Sequence, residues 1–469
     1  MNEKMLGEQL LAATLISDEH LAKALDRQRE QGGRIGDNLV ALGYLTSEQL
    51  AAMFKVHPAP PHTAEEAGLD PTFIAELVLK HASFLGSFGL NDITERVKLT
   101  AAVADGALDY LQRHKYLEVK GSADYTRFKY RYAITGPGSA HAAELLTACA
   151  YVGPAPVSLE AYVRVARVQT IKHIMVNEDA VRQAFAHLIV SDALLQKIGP
   201  AVSAGKSILI YGPPGNGKTT IAETLGGILP GAVYLPYAIQ VGGQLIALFD
   251  PVNHIPAPPE KDRAEVDPRW VLCRRPVILA GGELTLRMLD LDFNTISKYY
   301  EAPLQLKANN GLFVVDDFGR QIVEPRQLLN RWIVPLERRT DFLTLHTGMK
   351  FQVPFDQLVV FSTNLEPADL VDQAFLRRIR YKIRVGRPTE GDYEAIFRRV
   401  CAAHGIQFSE DAFEHLLRDY YRRLDVPLDA SHPREIVDHI VDQAHYRQHA
   451  PAMTHVAVAS AWENHFVLA

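Results

Sequence analysis

Gly212-Pro213-Pro214-Gly215-Asn216-Gly217-Lys218-Thr219-Thr220 carries the clearest chemistry in the chain. Its spacing is G-x-x-x-x-G-K-[ST], the pattern of a loop that cradles phosphate. The glycines let backbone N–H groups wrap an anion at a helix N-terminus. Gly212, Pro213, Pro214, Gly215, Asn216, Gly217, Lys218, Thr219 and Thr220 are therefore the expected nucleotide-binding residues. Lys218 is placed to reach β- and γ-phosphates, and the Thr219 hydroxyl to bind Mg²⁺. A second constellation is Val314-Val315-Asp316-Asp317, two carboxylates closing an apolar run. The first carboxylate at such a strand end suits Mg²⁺ coordination through water. The second suits polarising an attacking water.

These residues need a frame. Ser207-Ile208-Leu209-Ile210-Tyr211 reads as a buried strand before the glycine loop, and Ile221-Ala222-Glu223-Thr224-Leu225 as the helix after it. Gly311-Leu312-Phe313-Val314-Val315 and Leu358-Val359-Val360-Phe361 are two further strands. Strands and helices alternate from about 165 to 385, as in a parallel α/β sheet. The nucleotide-binding core is assigned to 151–387, opening at Tyr151-Val152-Gly153-Pro154-Ala155-Pro156. After Pro388 the strand patterns stop, so 388–469 is read as a separate α-helical lid.

Upstream, 71–150 shows helical patterns over 71–81, 91–97 and 101–114, followed by strands at 116–119 and 128–134. Helices followed by a hairpin predict a winged-helix-like α+β domain. Its basic residues are Arg113, His114, Lys115, Lys120, Arg127, Lys129 and Arg131, diluted by Asp109, Glu118 and Asp124. Such wings touch DNA phosphates or dock proteins. The stretch 57–70, with His57-Pro58-Ala59-Pro60-Pro61-His62, is a Pro-rich linker, extended or turn-like. Residues 1–56 form a small all-α domain built on an imperfect repeat. In it Leu6-Gly7-Glu8-Gln9-Leu10-Leu11 and Ile16-Ser17-Asp18-Glu19-His20-Leu21 recur as Ile35-Gly36-Asp37-Asn38-Leu39-Val40 and Leu45-Thr46-Ser47-Glu48-Gln49-Leu50. Ser17 and Thr46 are natural helix N-caps.

The 469 residues suit about three domains. Hydrophobic residues make up 47% and charged residues 22%, ordinary globular values. A net charge of −6 gives no global signal for nucleic acid. Cys149, Cys273 and Cys401 stand far apart, which argues against a zinc site or disulfide framework and fits a reducing compartment. Neither a signal-peptide pattern nor a membrane span of ~20 apolar residues is evident. The expectation is a soluble cytoplasmic protein with no membrane insertion.

Over roughly 165–465 the motifs resemble the AAA+ ATPase family. The resemblance implies ATP and Mg²⁺ as ligands and makes Asp316-Asp317 the Walker B pair, with Asp316 at the metal beside Thr219. The family usually has Asp-Glu there, so Asp317 is a catalytic base one methylene short, and slow hydrolysis is implied. Phe361-Ser362-Thr363-Asn364 resembles sensor 1, with Asn364 orienting the water or γ-phosphate. Asp372-Gln373-Ala374-Phe375-Leu376-Arg377-Arg378-Ile379 resembles the arginine-finger segment, and Arg378 precedes an apolar residue as the finger often does. A finger acts on a neighbour's nucleotide, which implies a homo-oligomeric ring. His432-Pro433-Arg434-Glu435-Ile436 resembles sensor 2, placing Arg434 near the γ-phosphate. Asp341–Leu345 and Lys350–Pro354 resemble the pre-sensor-1 hairpin of the clade that includes Mg-chelatases and MoxR proteins. Gln240-Val241-Gly242-Gly243 falls after the second strand, where the family often has a pore loop, without an aromatic-hydrophobic-Gly motif.

The N-terminal repeat resembles the MshEN domain of type II secretion and type IV pilus ATPases, some of which bind cyclic di-GMP. Arg34-Ile35-Gly36, Gly43-Tyr44-Leu45 and Gln28 fit that pattern; Met5 and Thr14 depart from it in the first copy. The reading is a protein-docking module, with cyclic di-GMP, which some members bind, as the alternative ligand. Together these resemblances imply an ATPase that remodels or regulates a protein or nucleoprotein partner, gated by its N-terminal modules. The alternative is an ATP-loaded signalling switch or scaffold with little hydrolysis, which Asp317 in place of Glu favours.

Overall fold

The computed structural model describes residues 7, 10–11, 15–32, 35–46, 57–122, 130–174, 176–258, 266–370 and 376–466. Met5, Leu6, Glu8, Gln9, Thr14, Arg34, 47–56, Asp124, Arg127, Lys129 and 372–375, on which sequence expectations fall, lie outside the described residues. No helix among the described residues is long and apolar enough to cross a membrane.

Helix α1 (Asp18–Gln31) starts at Ser17, whose hydroxyl accepts the His20 amide at 3.3 Å. This cap satisfies one of the donors a helix start leaves orphaned. Helix α2 (Ile35–Ala41) packs on it through Ala24, Ile35 and Leu39. His20 stacks on Tyr44 with ring centroids 4.1 Å apart.

The proline-bearing segment from His57 is not a free spacer. The Pro58 carbonyl accepts the Asp267 amide at 2.8 Å, the Pro61 carbonyl accepts the Thr100 hydroxyl at 2.6 Å, and His57 Nδ1 lies 3.1 Å from the Tyr234 hydroxyl. Proline removes a donor but keeps its carbonyl, so an extended proline run still docks. A short helix α3 (Ala64–Ala67) follows, capped by Thr63. Helices α4 (Pro71–Ala82), α5 (Leu90–Val97) and α6 (Ala101–Arg113) precede the antiparallel pair β1 (Leu117–Ser122) and β2 (Tyr130–Ile134), and α7 (Gly136–Ala148) closes the unit. Their shared core also takes in Ala238 and Leu245 from far downstream. A buried Asp267–Arg269 pair fastens the same seam, with Arg269 Nη1 donating to the carbonyls of Ala67 (2.8 Å) and Pro156 (3.0 Å).

Strand β3 (Val157–Ser158) and helices α8 (Leu159–Val168), α9 (Glu178–Phe185) and α10 (Asp192–Ser203) lead into β4 (Ile208–Tyr211) and helix α11 (Lys218–Ile228). Next come β5 (Ala232–Pro236), β6 (Ala238–Val241), β7 (Gln244–Ala247), β8 (Trp270–Arg274), β9 (Val277–Ala280), β10 (Asp292–Phe293), β11 (Tyr300–Glu301) and β12 (Leu312–Val315). Helix α12 (Pro325–Arg338), hairpin β13 (Thr340–Thr344) and β14 (Lys350–Pro354), then β15 (Leu358–Thr363) and β16 (Tyr381–Arg384) complete this region.

The central sheet has five strands in the order β16-β4-β15-β12-β9, every neighbouring pair parallel. Its inner strands are apolar along their length because helices cover both faces. On one face α10 and α11 contribute Ile198, Ala201, Val202, Ile221 and Leu225. On the other α12 contributes Leu328, Leu329 and the fully buried Trp332, which meets Phe313 edge-on. The sheet and its helices are those of an α/β core.

The strand after the glycine-loop helix, β5, is not the second strand of the central sheet: it pairs antiparallel with β8, and β9 takes that place. Gln240 and Val241 belong to β6, and Gly242-Gly243, with φ of 55° and 76°, form the tight turn to β7. That hairpin sits in a separate sheet ordered β10-β11-β7-β6-β3. Paired positive φ values suit a two-residue hairpin turn, which explains the Gly-Gly.

The C-terminal bundle comprises α13 (Glu390–Ala403), α14 (Glu410–Leu416), α15 (His432–Tyr446) and α16 (His455–His465). Leu417–Arg422 continues α14 with wider π-type turns. Tyr393, Phe397, Tyr421, Ile436 and Trp462 fill the core.

Candidate functional site

The site forms where β4 turns into α11. Gly212 has φ 143°, and a Cβ there would stand 2.1 Å from the Val385 carbonyl oxygen, so the close passage under β16 requires glycine. Gly217, at φ 74°, is the N-cap of α11 and has no side chain to satisfy the amides behind it. The first turn of the helix thus presents unmade donors and the positive end of its dipole to one spot. Lys218 Nζ donates to the Pro213 carbonyl at 2.7 Å across the loop. Burial pushes its ammonium pKa down, against the pull of Asp317, Asp316 and Asp429.

The carboxyl ends of β12 and β15 supply the rest. Thr219 Oγ1 donates to Asp316 Oδ2 at 2.8 Å, and the Asp316 amide is held by the Ala280 carbonyl at 2.8 Å. Asp317 is exposed and left-handed, with φ 48°. Asp tolerates that conformation better than most residues, but holding it costs energy and turns the side chain out of the sheet. Asn364 Nδ2 donates to Asp317 Oδ1 at 3.3 Å. Two bonds keep the strand ends in register: the Phe318 amide to the Ser362 carbonyl (2.7 Å) and the Thr363 hydroxyl to the Phe318 carbonyl (2.7 Å). Lys218, Thr219, Asp316, Asp317 and Asn364 therefore converge, although 146 positions separate the first from the last.

The helical bundle touches this site directly. Asn216 is buried; its Nδ2 donates to Asp429 Oδ1 at 2.9 Å and its Oδ1 accepts the Ala430 amide at 3.2 Å. The Ser431 amide donates to the Gly215 carbonyl at 2.8 Å. Arg387 Nε adds a 3.0 Å bond to the same Asp429 oxygen. Asp429, Ser431 and Arg387 were missed from sequence. Asp429-Ala430-Ser431 lies just ahead of a helix-opening Pro, where capping residues gather, and that is the one local signal. Arg434 is exposed in the first turn of α15, three residues beyond Ser431.

Arg378 is not brought to the loop. It precedes β16, at the opposite end of the sheet, where its carbonyl accepts the Ser207 hydroxyl at 3.2 Å and its Nε donates to Glu337 at 2.7 Å. There it lines a 440 Å³ cavity with Lys206, Arg339, Arg377 and Arg380.

Residues 389–464 match a domain of unknown function, DUF8689. A stretch of 51 residues is 43% identical to the type IV pilus assembly ATPase PilB of Thermus thermophilus; it is 11% of this chain and 6% of that protein. Among solved structures, NtrX from Brucella abortus is similar at a TM-score of 0.37 and 13% identity, over 64% of this chain and 57% of that one. The Thermotoga maritima RuvB Holliday junction branch migration motor is similar at 0.31 and 12%, over 62% and 70%. The assignment of an α/β core rests on the sheet itself.

Proposed function

We propose that this chain is an AAA+-type enzyme that binds and hydrolyses ATP with Mg²⁺. The observation that carries the reading is the convergence of an uncapped helix start, the buried Lys218 and the Thr219–Asp316 pair on one spot. In this reading the phosphates take up the open amides of the loop, and Lys218 leaves the Pro213 carbonyl for the β/γ-phosphates. Thr219 and Asp316 fit Mg²⁺, since both offer hard oxygen donors that already meet. When bound, that ion supplies charge neutralisation on the β- and γ-phosphates. Asp317 accepts a hydrogen bond from the attacking water and orients it; Asn364, bonded to Asp317, holds that carboxylate in place.

Arg434 would approach the γ-phosphate within the same chain, because α15 begins against the loop. Arg378 would act on the nucleotide of a neighbouring copy in a homo-oligomeric ring. The α-helical lid at 388–469 would then move with the nucleotide. The modules at 1–56 and 71–150 would engage a protein or nucleoprotein partner, DNA or cyclic di-GMP, in the cytoplasm. Calorimetric titration with ATP and Mg²⁺ tests the core of this proposal. Lys218→Ala should lose measurable binding, and unchanged affinity in that variant would remove the assignment.

A further inference from the structure

Two helices of the C-terminal bundle bring metal-ligating side chains together behind the phosphate loop. His432 and Glu435 are three residues apart in α15, so both project from one face of its first turn. His465 reaches them from the last turn of α16. One ligand atom from each lies within 4.8 Å of the other two, and His465 Nε2 already sits 2.8 Å from Glu435 Oε2. The two helices are joined side by side. Gln443 Nε2 donates to Ser460 Oγ at 2.8 Å, and Ile436 and Val437 pack in one cluster with Val458 and Trp462.

The outer contacts are those of a held ligand. His432 is buried, its Nδ1 lies 3.0 Å from the Tyr421 hydroxyl, and Tyr421 in turn lies 2.6 Å from the Tyr393 hydroxyl. Phe466 packs edge-on against the imidazole at 4.9 Å. A hydrogen bond on one ring nitrogen fixes the ring and leaves the other for a metal. That other nitrogen, Nε2, has Asp429 Oδ2 at 3.8 Å.

We propose that His432, Glu435 and His465 bind a zinc-class divalent cation, with Asp429 or a water completing the tetrahedron. Two imidazoles and a carboxylate suit Zn²⁺ or Co²⁺, whereas Mg²⁺ prefers an all-oxygen shell. With metal–ligand distances of about 2.0–2.2 Å, ligand atoms stand about 3.4 Å apart around a tetrahedral ion, so the 2.8 Å His465–Glu435 pair must open while wider pairs close, adjustments within reach of side-chain rotation. The site also reaches the phosphate loop. Asp429 holds Asn216 through Oδ1 while Oδ2 faces His432. A cation there offsets the charge of a carboxylate that stands against the phosphate loop through Asn216, so loading should favour binding of the phosphate anion.

The test uses the full chain, freed of metal by a chelator and titrated with Co²⁺ in the absence of nucleotide. A visible d–d absorption band should rise, saturate at a single Co²⁺ per chain and be displaced by Zn²⁺. Glu435→Gln keeps the hydrogen bond to His465 and the side-chain volume but removes the anionic ligand, and should weaken Co²⁺ binding about tenfold or more at unchanged helical circular dichroism. His404→Ala, in the same bundle but paired with Asp438, should leave the band intact. No band, or a band of equal affinity in Glu435→Gln, would overturn the site. Protein preloaded with Zn²⁺ and desalted should bind ATP more tightly than the metal-free form, and equal affinities would overturn the link through Asp429. The first readout needs no nucleotide, so it stands or fails independently of the ATPase reading.

Discussion

The two ends of the central sheet differ in what they gather. At the carboxyl ends, β4, β12 and β15 give way to Gly212, to Asp316 and Asp317, and to Asn364. At the amino ends lie Lys206, Arg339, Arg377, Arg378 and Arg380 around one cavity, where Glu337 pairs with Arg378. Burial and the neighbouring Arg339, Lys172 and Arg380 push the Lys206 pKa down, a sign of crowded positive charge. Every strand of the sheet runs the same way, so residues that follow strands share one edge and residues that precede them share the other. Arg378, just ahead of β16, is therefore held away from the glycine loop that follows β4. A four-residue strand alone spans about 13 Å. The acids and the phosphate loop thus lie on one edge of the sheet and a cluster of cations on the other.

The largest expected effect breaks that complementarity. If the cationic edge completes a neighbour's site, Arg378→Ala lowers ATP turnover by about 10³-fold while calorimetric ATP affinity stays as in the wild type. Mixing it with Lys218→Ala should restore part of the turnover, because one interface then pairs an intact loop with an intact arginine. Unchanged turnover in Arg378→Ala would reduce the cationic edge to a structural feature. A smaller effect sharpens the acidic edge. Asn216→Ala removes the bonds to Asp429 and Ala430. At about 1 kcal/mol for each of the two bonds, hydrogen exchange at the Ser431 amide should quicken roughly thirtyfold. The smallest concerns Glu337. Its pair with Arg378 is largely exposed on the carboxylate side, so Glu337→Gln should change folding stability, read by thermal melting, by no more than about 1 kcal/mol.

The acidic edge was largely legible in the sequence and the contacts that close it were not. The glycine loop is contiguous, and its glycines and lysine announce their chemistry by spacing alone. Asp316-Asp317 and Asn364 were expected to meet because each ends an apolar run, and parallel strands bring their ends together. Asp429 bonds to Asn216 across 213 positions, and no local pattern encodes such a pair. The second sheet was missed for another reason. Strands as short as β6, β7 and β11 leave too few residues for alternation to declare itself. The contacts of the Pro-rich stretch before α4 were not legible, because composition reports the donors a segment lacks and not the carbonyls it offers.

Steady-state phosphate release at saturating ATP and Mg²⁺, compared between the wild type and Asp317→Asn, tests the central claim most directly. The substitution keeps the side chain's size and its place beside Asn364 but removes the charge that polarises water. Turnover should be measurable in the wild type and fall by roughly 10²–10⁴-fold in the variant, with ATP binding retained. Equal turnover in the two proteins, or none in the wild type at any protein concentration, would contradict an ATP-hydrolysing site at the carboxyl edge of this sheet.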